Sequence, residues 1–100
     1  MGIPVKVSAQ AWRDLAEIVD YIAQDSPDAA ERFSKQLLEA AHSLEHTPMM
    51  GCRVKERAKV RMMVYRSYLI FYRLNTTKNQ LEILRFWHGA RDQGHLQFDL

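Results

Sequence analysis

The fold is decided by residues 60–87, which read VRMMVYRSYLIFYRLNTTKNQLEILRFW. Apolar, aromatic and β-branched side chains alternate here with polar ones at a period of two, which is typical of β-strands. Two polar breaks, Arg66-Ser67 and Thr76–Asn79, have the composition of tight turns. We therefore predict an antiparallel meander of three strands: Val60–Tyr65, Tyr68–Asn75 and Gln80 to about Trp87.

The residues before the meander have helical periodicity. From Ala9 to about Asp25, apolar residues recur at the spacing of one helix face, and Ser8 is a good N-cap. A second helix is predicted from Pro27 to about Glu45, because Ser26 can cap it and proline suits the first helical position. The break between the two is so short that the helices must form an antiparallel hairpin.

The chain opens with a short strand at residues 3–8, IPVKVS, where Pro4 favours an edge or a strand start. The order is then β-α-α-β-β-β, and the predicted class is α+β. We expect the N-terminal strand and the helical hairpin to pack on one face of a small antiparallel sheet. A chain of 100 residues is expected to form a single domain over residues 1–100.

The composition excludes several classes of protein. Apolar residues make up 47% of the chain and charged residues 26%, which argues against intrinsic disorder. No apolar run approaches the roughly 20 residues of a membrane span, and MGIPVKV lacks the pattern of a secretory signal. The single cysteine, Cys52, rules out an internal disulfide and suggests a reducing compartment, so we expect a cytoplasmic protein.

Charge is distributed unequally along the chain. Residues 1–52 hold four Lys and Arg against eight Asp and Glu, a net charge of −4. Residues 53–100 hold ten against four, a net charge of +6. A basic half of this kind indicates an anionic partner, such as nucleic acid or an acidic protein segment, unless the two charged halves merely keep the chain soluble.

Strand alternation predicts which side chains face the helices. Because Arg85 is charged, we expect it to face away from them, and Leu84 and Phe86 to lie in the core. The same reasoning places Val60, Met62 and Val64 inward. The uncovered face would then carry Arg61, Met63, Tyr65, Ile83, Arg85 and Trp87. Such a patch suggests a partner- or substrate-binding surface, unless the C-terminal tail covers it through Leu96, Phe98 and Leu100.

The run from Lys59 to Asp92, KVRMMVYRSYLIFYRLNTTKNQLEILRFWHGARD, resembles the signature of the RelE/ParE superfamily of bacterial toxins. The marks are Val60-Arg61 entering a strand, a tyrosine-rich strand with Tyr68 and Tyr72, and Arg85 followed by His88-Gly89-Ala90-Arg91-Asp92. The helical half agrees in order, so the resemblance spans nearly the whole chain. The His-Gly-x-Arg-Asp ending and the spacing of the two tyrosines favour the ParE-like branch.

The resemblance implies the toxin of a type II toxin–antitoxin pair, with growth inhibition and plasmid stabilisation as its roles. Its partner would be a ParD- or RelB-like antitoxin whose acidic, amphipathic segment wraps the toxin in a hetero-oligomer. No membrane and no cofactor are implied. The residues expected to bind the antitoxin or the target are Arg61, Met63, Tyr65, Ile83, Arg85, Trp87 and Arg91.

The superfamily has two kinds of target, and both stay open. ParE-like members poison DNA gyrase and are not known as nucleases, whereas RelE-like members cut messenger RNA on the ribosome without a metal ion. In the RelE-like alternative, the catalytic residues would be Arg61, Arg85 and His88, with Lys55, Glu56, Arg57 and Lys59 in the loop before them. Trp87 favours gyrase inhibition, because it stands where a ribonuclease needs a side chain that transfers protons. The two arginines would then pair with antitoxin carboxylates.

A metal site and independent DNA binding are weaker interpretations. His42 and His46 lie four residues apart and Cys52 follows, but no acidic ligand stands at a sensible spacing, so we expect no metal. Residues 53–66 hold six basic side chains, which could contact DNA phosphates. No recognition helix accompanies them, so we do not expect sequence-specific DNA binding.

Overall fold

A five-stranded sheet forms one layer of the fold, in the order β1-β5-β4-β3-β2. The computed structural model describes residues 2–55, 57 and 59–98, with only the backbone of His95. The strands are β1 (Val5–Val7), β2 (Cys52–Arg53), β3 (Arg61–Tyr65), β4 (Tyr68–Asn75) and β5 (Gln80–His88). β1 runs parallel to β5, and the other neighbours are antiparallel.

Two helices form the second layer, α1 (Ala9–Ala23) and α2 (Pro27–His42), and α2 continues into a 3₁₀ turn at Ser43–Glu45. The predicted caps are confirmed. The Ser8 hydroxyl accepts the Ala11 N–H at 3.1 Å, and the Ser26 hydroxyl accepts the Ala29 N–H at 3.2 Å. Such caps satisfy backbone donors that a helix start leaves free.

The predicted α+β class, the element order and the helical hairpin are confirmed. Both turns of the meander lie where they were expected, and Arg66 and Asn79 adopt the positive φ angles, 55° and 50°, that tight turns use. Two details differ. β1 pairs in parallel with β5 in an otherwise antiparallel sheet, because the direction of a strand depends on the path of the whole chain. The two-residue strand β2 was not predicted.

Each face of the sheet carries its own apolar cluster. The helix-side cluster includes Leu15, Leu37, Ile70, Tyr72, Ile83 and Phe86, with Met63 and Tyr65 packed against it. The far-face cluster consists of Val60, Leu69, Phe71, Leu84, Trp87 and Leu96, with Val54, Met62 and Phe98 against it. The sheet is therefore buried on both faces.

The predicted faces are wrong for most of β3 and for part of β5. Val60, Met62 and Leu84 lie in the far-face cluster, not against the helices, and Val64 is 61% exposed. Met63, Tyr65 and Ile83 lie on the helix side, not on an uncovered face. Phe86 and Trp87 are placed as predicted.

A β-bulge explains the error in β5. Phe71 pairs with Arg85 and Tyr72 pairs with Ile83, so Leu84 is an extra residue without a partner on β4. Such an insertion breaks the alternation of faces, and Ile83 and Phe86 therefore share the helix side although their numbers differ by three. The bulge cannot be read from a period-two pattern.

The C-terminal tail covers the far face. Leu96 is buried there, and the Phe98 ring lies 5.3 Å from the Phe71 ring, between centroids. This confirms the alternative expectation for Leu96 and Phe98, while Leu100 lies outside the described residues. In the part of the chain described, no helix is both long and apolar enough to cross a membrane.

Candidate functional site

A buried ion pair between Asp14 and Arg85 joins α1 to β5. Arg85 Nε donates to Asp14 Oδ2 at 2.7 Å, and Arg85 Nη2 donates to Oδ1 at 2.9 Å. Arg85 Nη1 donates to the Gln97 carbonyl in the tail at 2.7 Å. All three guanidinium nitrogens are therefore engaged within the protein, and the two side chains are only 11% and 6% exposed.

Asp14 lies beside the part of β5 that extends beyond the end of β1. β1 ends at Val7, after which the Ser8 N–H donates to the Ile83 carbonyl and the Ser8 hydroxyl to the Leu84 carbonyl. Asp14 then accepts the Phe86 N–H at 3.1 Å, so its carboxylate continues the pairing that a longer β1 would provide. An unpaired buried N–H is costly, and Asp14 satisfies this one.

The sequence analysis did not single out Asp14 as a site residue. The available signal was its position between Ala11, Leu15 and Ile18, which are all buried. An acidic residue inside such a stripe needs a cationic partner, and Arg85 on the apolar last strand provides one.

Arg61 is the first residue of β3 and lies on the helix side of the sheet. It pairs with Tyr72, and its Nη1 donates to the Gly51 carbonyl at 2.8 Å. The Tyr72 hydroxyl accepts the Gly51 N–H at 2.8 Å. Burial raises the pKa of Tyr72, and the hydrogen bond from Gly51 and the charge of Arg61 offset part of that rise. Arg61 thus helps to fix the Gly51 turn.

Three cations surround a small pocket of about 240 Å³ beside β2 and β3, which we call the basic pocket: Arg53, Lys59 and Arg61. Met49, Val60, Leu74 and Thr76 complete its lining, and no acidic side chain of the described residues contributes to it. Glu56, a candidate base in the RelE-like alternative, lies outside the described residues.

Arg61 and Arg85 do not come together, which corrects the expectation of one shared face. Arg85 stands opposite Phe71 on the far face, whereas Arg61 stands opposite Tyr72 on the helix side. β4 lies between their strands, so the strand axes are about 10 Å apart. Arg85 lies on the predicted face, so the expectation failed at Arg61, because the two sets of side chains in β3 were assigned to the wrong faces.

His88 is exposed at the end of β5, away from the basic pocket. Its Nδ1 accepts the Ala90 N–H at 3.1 Å, and its ring packs edge-on against Tyr68 with 5.0 Å between centroids. The three residues of the RelE-like catalytic set therefore occupy three separate places.

The other predicted binding residues differ in accessibility. Ile83 is fully buried and Trp87 is 3% exposed, so a partner cannot use either side chain directly. Met63 and Tyr65 are half-buried, and Tyr65 packs near Phe33 of α2 at 6.3 Å between ring centroids. Arg91 is exposed. Whether any of them binds a partner stays a prediction.

A second cavity, the α1/β5 cleft, opens between α1 and the end of β5 with a volume of about 460 Å³. Its walls include Ile18, Tyr21, Tyr68, Phe86, His88 and Arg91. Burial and the neighbouring Tyr21 raise the pKa of Tyr68 above its ordinary value. No described His, Cys, Asp and Glu side chains cluster in threes, as a metal ion would require.

Residues 5–93 match the family described as ParE toxin of type II toxin-antitoxin system, parDE. Toxin RelE2 of Caulobacter vibrioides is 36% identical over 83 residues, which cover 80% of this chain and 91% of that protein. Toxin RelE1 of the same organism is 28% identical over 95 residues, covering 93% and 100%.

Solved structures share the fold. The chromosomal ParDE toxin–antitoxin system from P. aeruginosa superposes with a TM-score of 0.74 at 21% identity, covering 86% of this chain and 95% of that one. The toxin–antitoxin complex RelBE2 from Mycobacterium tuberculosis gives a TM-score of 0.69 at 22% identity, covering 88% and 99%. This chain is thus similar both to proteins named RelE and to structures of ParDE and RelBE systems.

Proposed function

The chain belongs to the ParE toxin family of type II toxin–antitoxin systems, and from that premise we propose that it inhibits DNA gyrase by docking onto it and is neutralised by a cognate antitoxin. The protein would act in the cytoplasm, where gyrase and chromosome meet. On this proposal the toxin performs no covalent chemistry of its own.

The observation that carries the proposal is the dispersal of the RelE-like catalytic set. Cleavage of RNA by its 2′-hydroxyl needs cations on the reacting phosphate and groups that move protons, all within contact of one site. The Arg85 guanidinium donates its hydrogen bonds to Asp14 and to the Gln97 carbonyl. Arg61 donates to the Gly51 carbonyl on the opposite face of the sheet, and the His88 ring accepts a hydrogen bond from the Ala90 N–H. Docking requires no such convergence.

An antitoxin partner is supported by the neighbours of known structure, which are toxin–antitoxin systems. The basic pocket supports it as well, because its three cations, with no carboxylate among the described residues that line it, attract an acidic segment. A disordered acidic segment that folds on binding would suit this surface.

The test is a gyrase supercoiling reaction. Relaxed plasmid, gyrase and ATP are incubated with increasing amounts of purified toxin, and we expect supercoiling to be lost at toxin concentrations comparable to gyrase. Relaxation of the supercoiled form of this plasmid by topoisomerase I serves as control and should be unaffected. Full supercoiling at a large excess of folded toxin would reject the proposal.

The alternative function, ribosome-dependent cleavage of messenger RNA, has one observation in its favour. The basic pocket groups Arg53, Lys59 and Arg61, and each phosphate contact by such side chains adds affinity for RNA. This alternative predicts cuts in the message in phase with codons, which Arg61→Ala would abolish without unfolding the protein.

A further inference from the structure

We propose that Arg91 and His88, at one end of the α1/β5 cleft, form a carboxylate-binding subsite for an apolar residue followed by an acidic residue in the antitoxin segment. The inference rests on the part of the proposed function that gives the toxin a protein antitoxin. It assigns a place and a chemistry to that contact, on a surface distinct from the basic pocket.

The cleft exists because β1 is too short to accompany β5 to its end. β1 ends at Val7 while β5 runs on to His88, and the cleft lies between α1 and this end of β5, where Ile18 and Phe86 line it. These two side chains give the cleft an apolar floor. A volume of about 460 Å³ lies within the usual range of ligand sites and holds a dipeptide-sized group.

Arg91 is held in place by Trp87. The Arg91 guanidinium carbon lies 4.1 Å from the centre of the Trp87 ring, and the Trp87 indole N–H donates to the Arg91 carbonyl at 3.3 Å. Within the described residues, Arg91 forms no ion pair. A guanidinium that stacks on a ring keeps its N–H edge available for a carboxylate, which it can bind through two parallel hydrogen bonds.

His88 supplies a second donor at the same end of the cleft. Because its Nδ1 accepts the Ala90 N–H, the hydrogen bond assigns the proton of the neutral ring to Nε2. The edge-on contact with Tyr68 fixes the ring plane. Both donors are thus ordered before a ligand arrives, which lowers the entropic cost of binding.

The charges around the cleft favour a peptide over nucleic acid. Asp14 is neutralised by Arg85, but Glu17 lines the α1 side and Asp20 is exposed farther along the helix. A run of phosphates laid along the cleft would be repelled there. A single carboxylate paired with Arg91, preceded by an apolar side chain on Ile18 and Phe86, carries less charge into the cleft and is repelled less than a run of phosphates.

The test uses a minimal probe, N-acetyl-Leu-Asp-amide, titrated into the isotopically labelled full chain and followed by NMR. We expect saturable shifts of the amides of Ile18, Phe86 and Arg91, and binding about tenfold tighter than that of N-acetyl-Leu-Asn-amide. Arg91→Gln should abolish the preference for Asp. Arg66→Gln is the matched control, because Arg66 also stacks on an aromatic ring, 5.6 Å from Tyr65, but lies outside the cleft.

Trp87 is a positioning residue in this account, and Trp87→Phe tests that role. The ring is kept, but the indole donor to Arg91 is lost and the cation–π contact is weakened. The preference for Asp over Asn should fall about threefold while the affinity for the Asn probe stays the same. A purely structural defect would weaken both probes equally, and that result would remove Trp87 from the subsite.

Three outcomes would overturn the subsite: no saturable shifts at the cleft, equal binding of the Asp and Asn probes, or stronger shifts of the same amides by AMP, which would indicate a nucleic acid ligand. The measurement involves no gyrase. A toxin that selects the Asp probe but leaves supercoiling intact would reject gyrase inhibition and keep the subsite. A toxin that abolishes supercoiling but does not prefer the Asp probe would reject the subsite and keep gyrase inhibition.

Discussion

At the scale of single residues, Arg85 determines how the fold closes. Its guanidinium joins Asp14 of α1, the tail carbonyl of Gln97 and the face of the Trp87 ring at 5.1 Å. A buried ion pair gains little over apolar residues of the same volume, but the loss of one member leaves an uncompensated charge. Arg85 is therefore structural, whereas Arg61 has looser ties to its surroundings.

We predict that Arg85→Ala lowers the free energy of unfolding by about 3–5 kcal/mol, because Asp14 is left buried without a partner. Arg61→Ala should cost about 0.5–1.5 kcal/mol, the value of one hydrogen bond. Urea unfolding followed by circular dichroism measures both. The double variant Asp14→Ala/Arg85→Ala should cost less than the sum of its single changes. Similar losses for the two arginine variants would contradict the structural role of Arg85.

The residue scale is where sequence reasoning failed most. The caps at Ser8 and Ser26 were predictable, since capping depends on neighbours in the chain. The Asp14–Arg85 pair joins residues 71 positions apart, so the apolar stripe around Asp14 indicates that it needs a cationic partner but not which residue provides one. The placement of Arg85 on an uncovered face followed from its charge, and the burial of Arg85 beside Asp14 shows that it is not exposed.

At the scale of elements, β4 and β5 form the centre of the sheet, and Glu82 connects them. Its carboxylate accepts hydrogen bonds from Arg73 at 2.7 Å, from Asn75 at 3.2 Å and from Gln80 at 2.7 Å. Burial pushes the pKa of Glu82 upward, but these three hydrogen bonds outweigh that effect. The net result is a pKa below its ordinary value of 4.5.

A lowered pKa means that the folded state favours the charged carboxylate. Its contribution to stability is complete above the unfolded pKa, near 4.5, and is lost as the pH falls through the folded value. We predict that Glu82→Gln is less stable than the parent at pH 7 by about 1 kcal/mol, and that this difference disappears in acid. Urea unfolding from pH 7 to pH 2 checks it, and a difference that is constant with pH would be the contrary result.

Most elements could be predicted because hydrophobic period and turn composition are local signals. β4 has the predicted bounds, and α1, α2 and β5 differ from prediction only near their ends. The faces of β3 and β5 could not be predicted, since alternation gives two sets of residues without saying which set meets the helices. Both faces of the sheet are buried, so no polar face marks the solvent side, and the bulge at Leu84 interrupts the alternation within β5.

At the scale of the whole molecule, a 100-residue chain builds three layers: helices, sheet and tail. The tail is fixed to the far face by apolar packing of Leu96 and Phe98. Arg57 adds a hydrogen bond to the Leu96 carbonyl at 3.2 Å and a cation–π contact with Phe98 at 5.2 Å. The apolar patch expected on the sheet's second face is therefore covered by the protein itself.

We predict that a chain ending at Asp92 loses about 2–4 kcal/mol of unfolding free energy and binds the dye ANS, because Phe71 and Leu84 become exposed. Gln97→Ala is the matched control, since only the backbone of that residue is used by the fold. Unchanged stability and no dye binding in the shortened chain would show that the tail does not cover the far face.

The central claim is that this toxin acts by docking and not by cutting RNA. The most direct measurement is primer extension on a message incubated with translating ribosomes and an excess of purified, folded toxin. Our account predicts full-length extension products, as in the reaction without toxin. Truncated products in phase with codons, absent with Arg61→Ala, would contradict it.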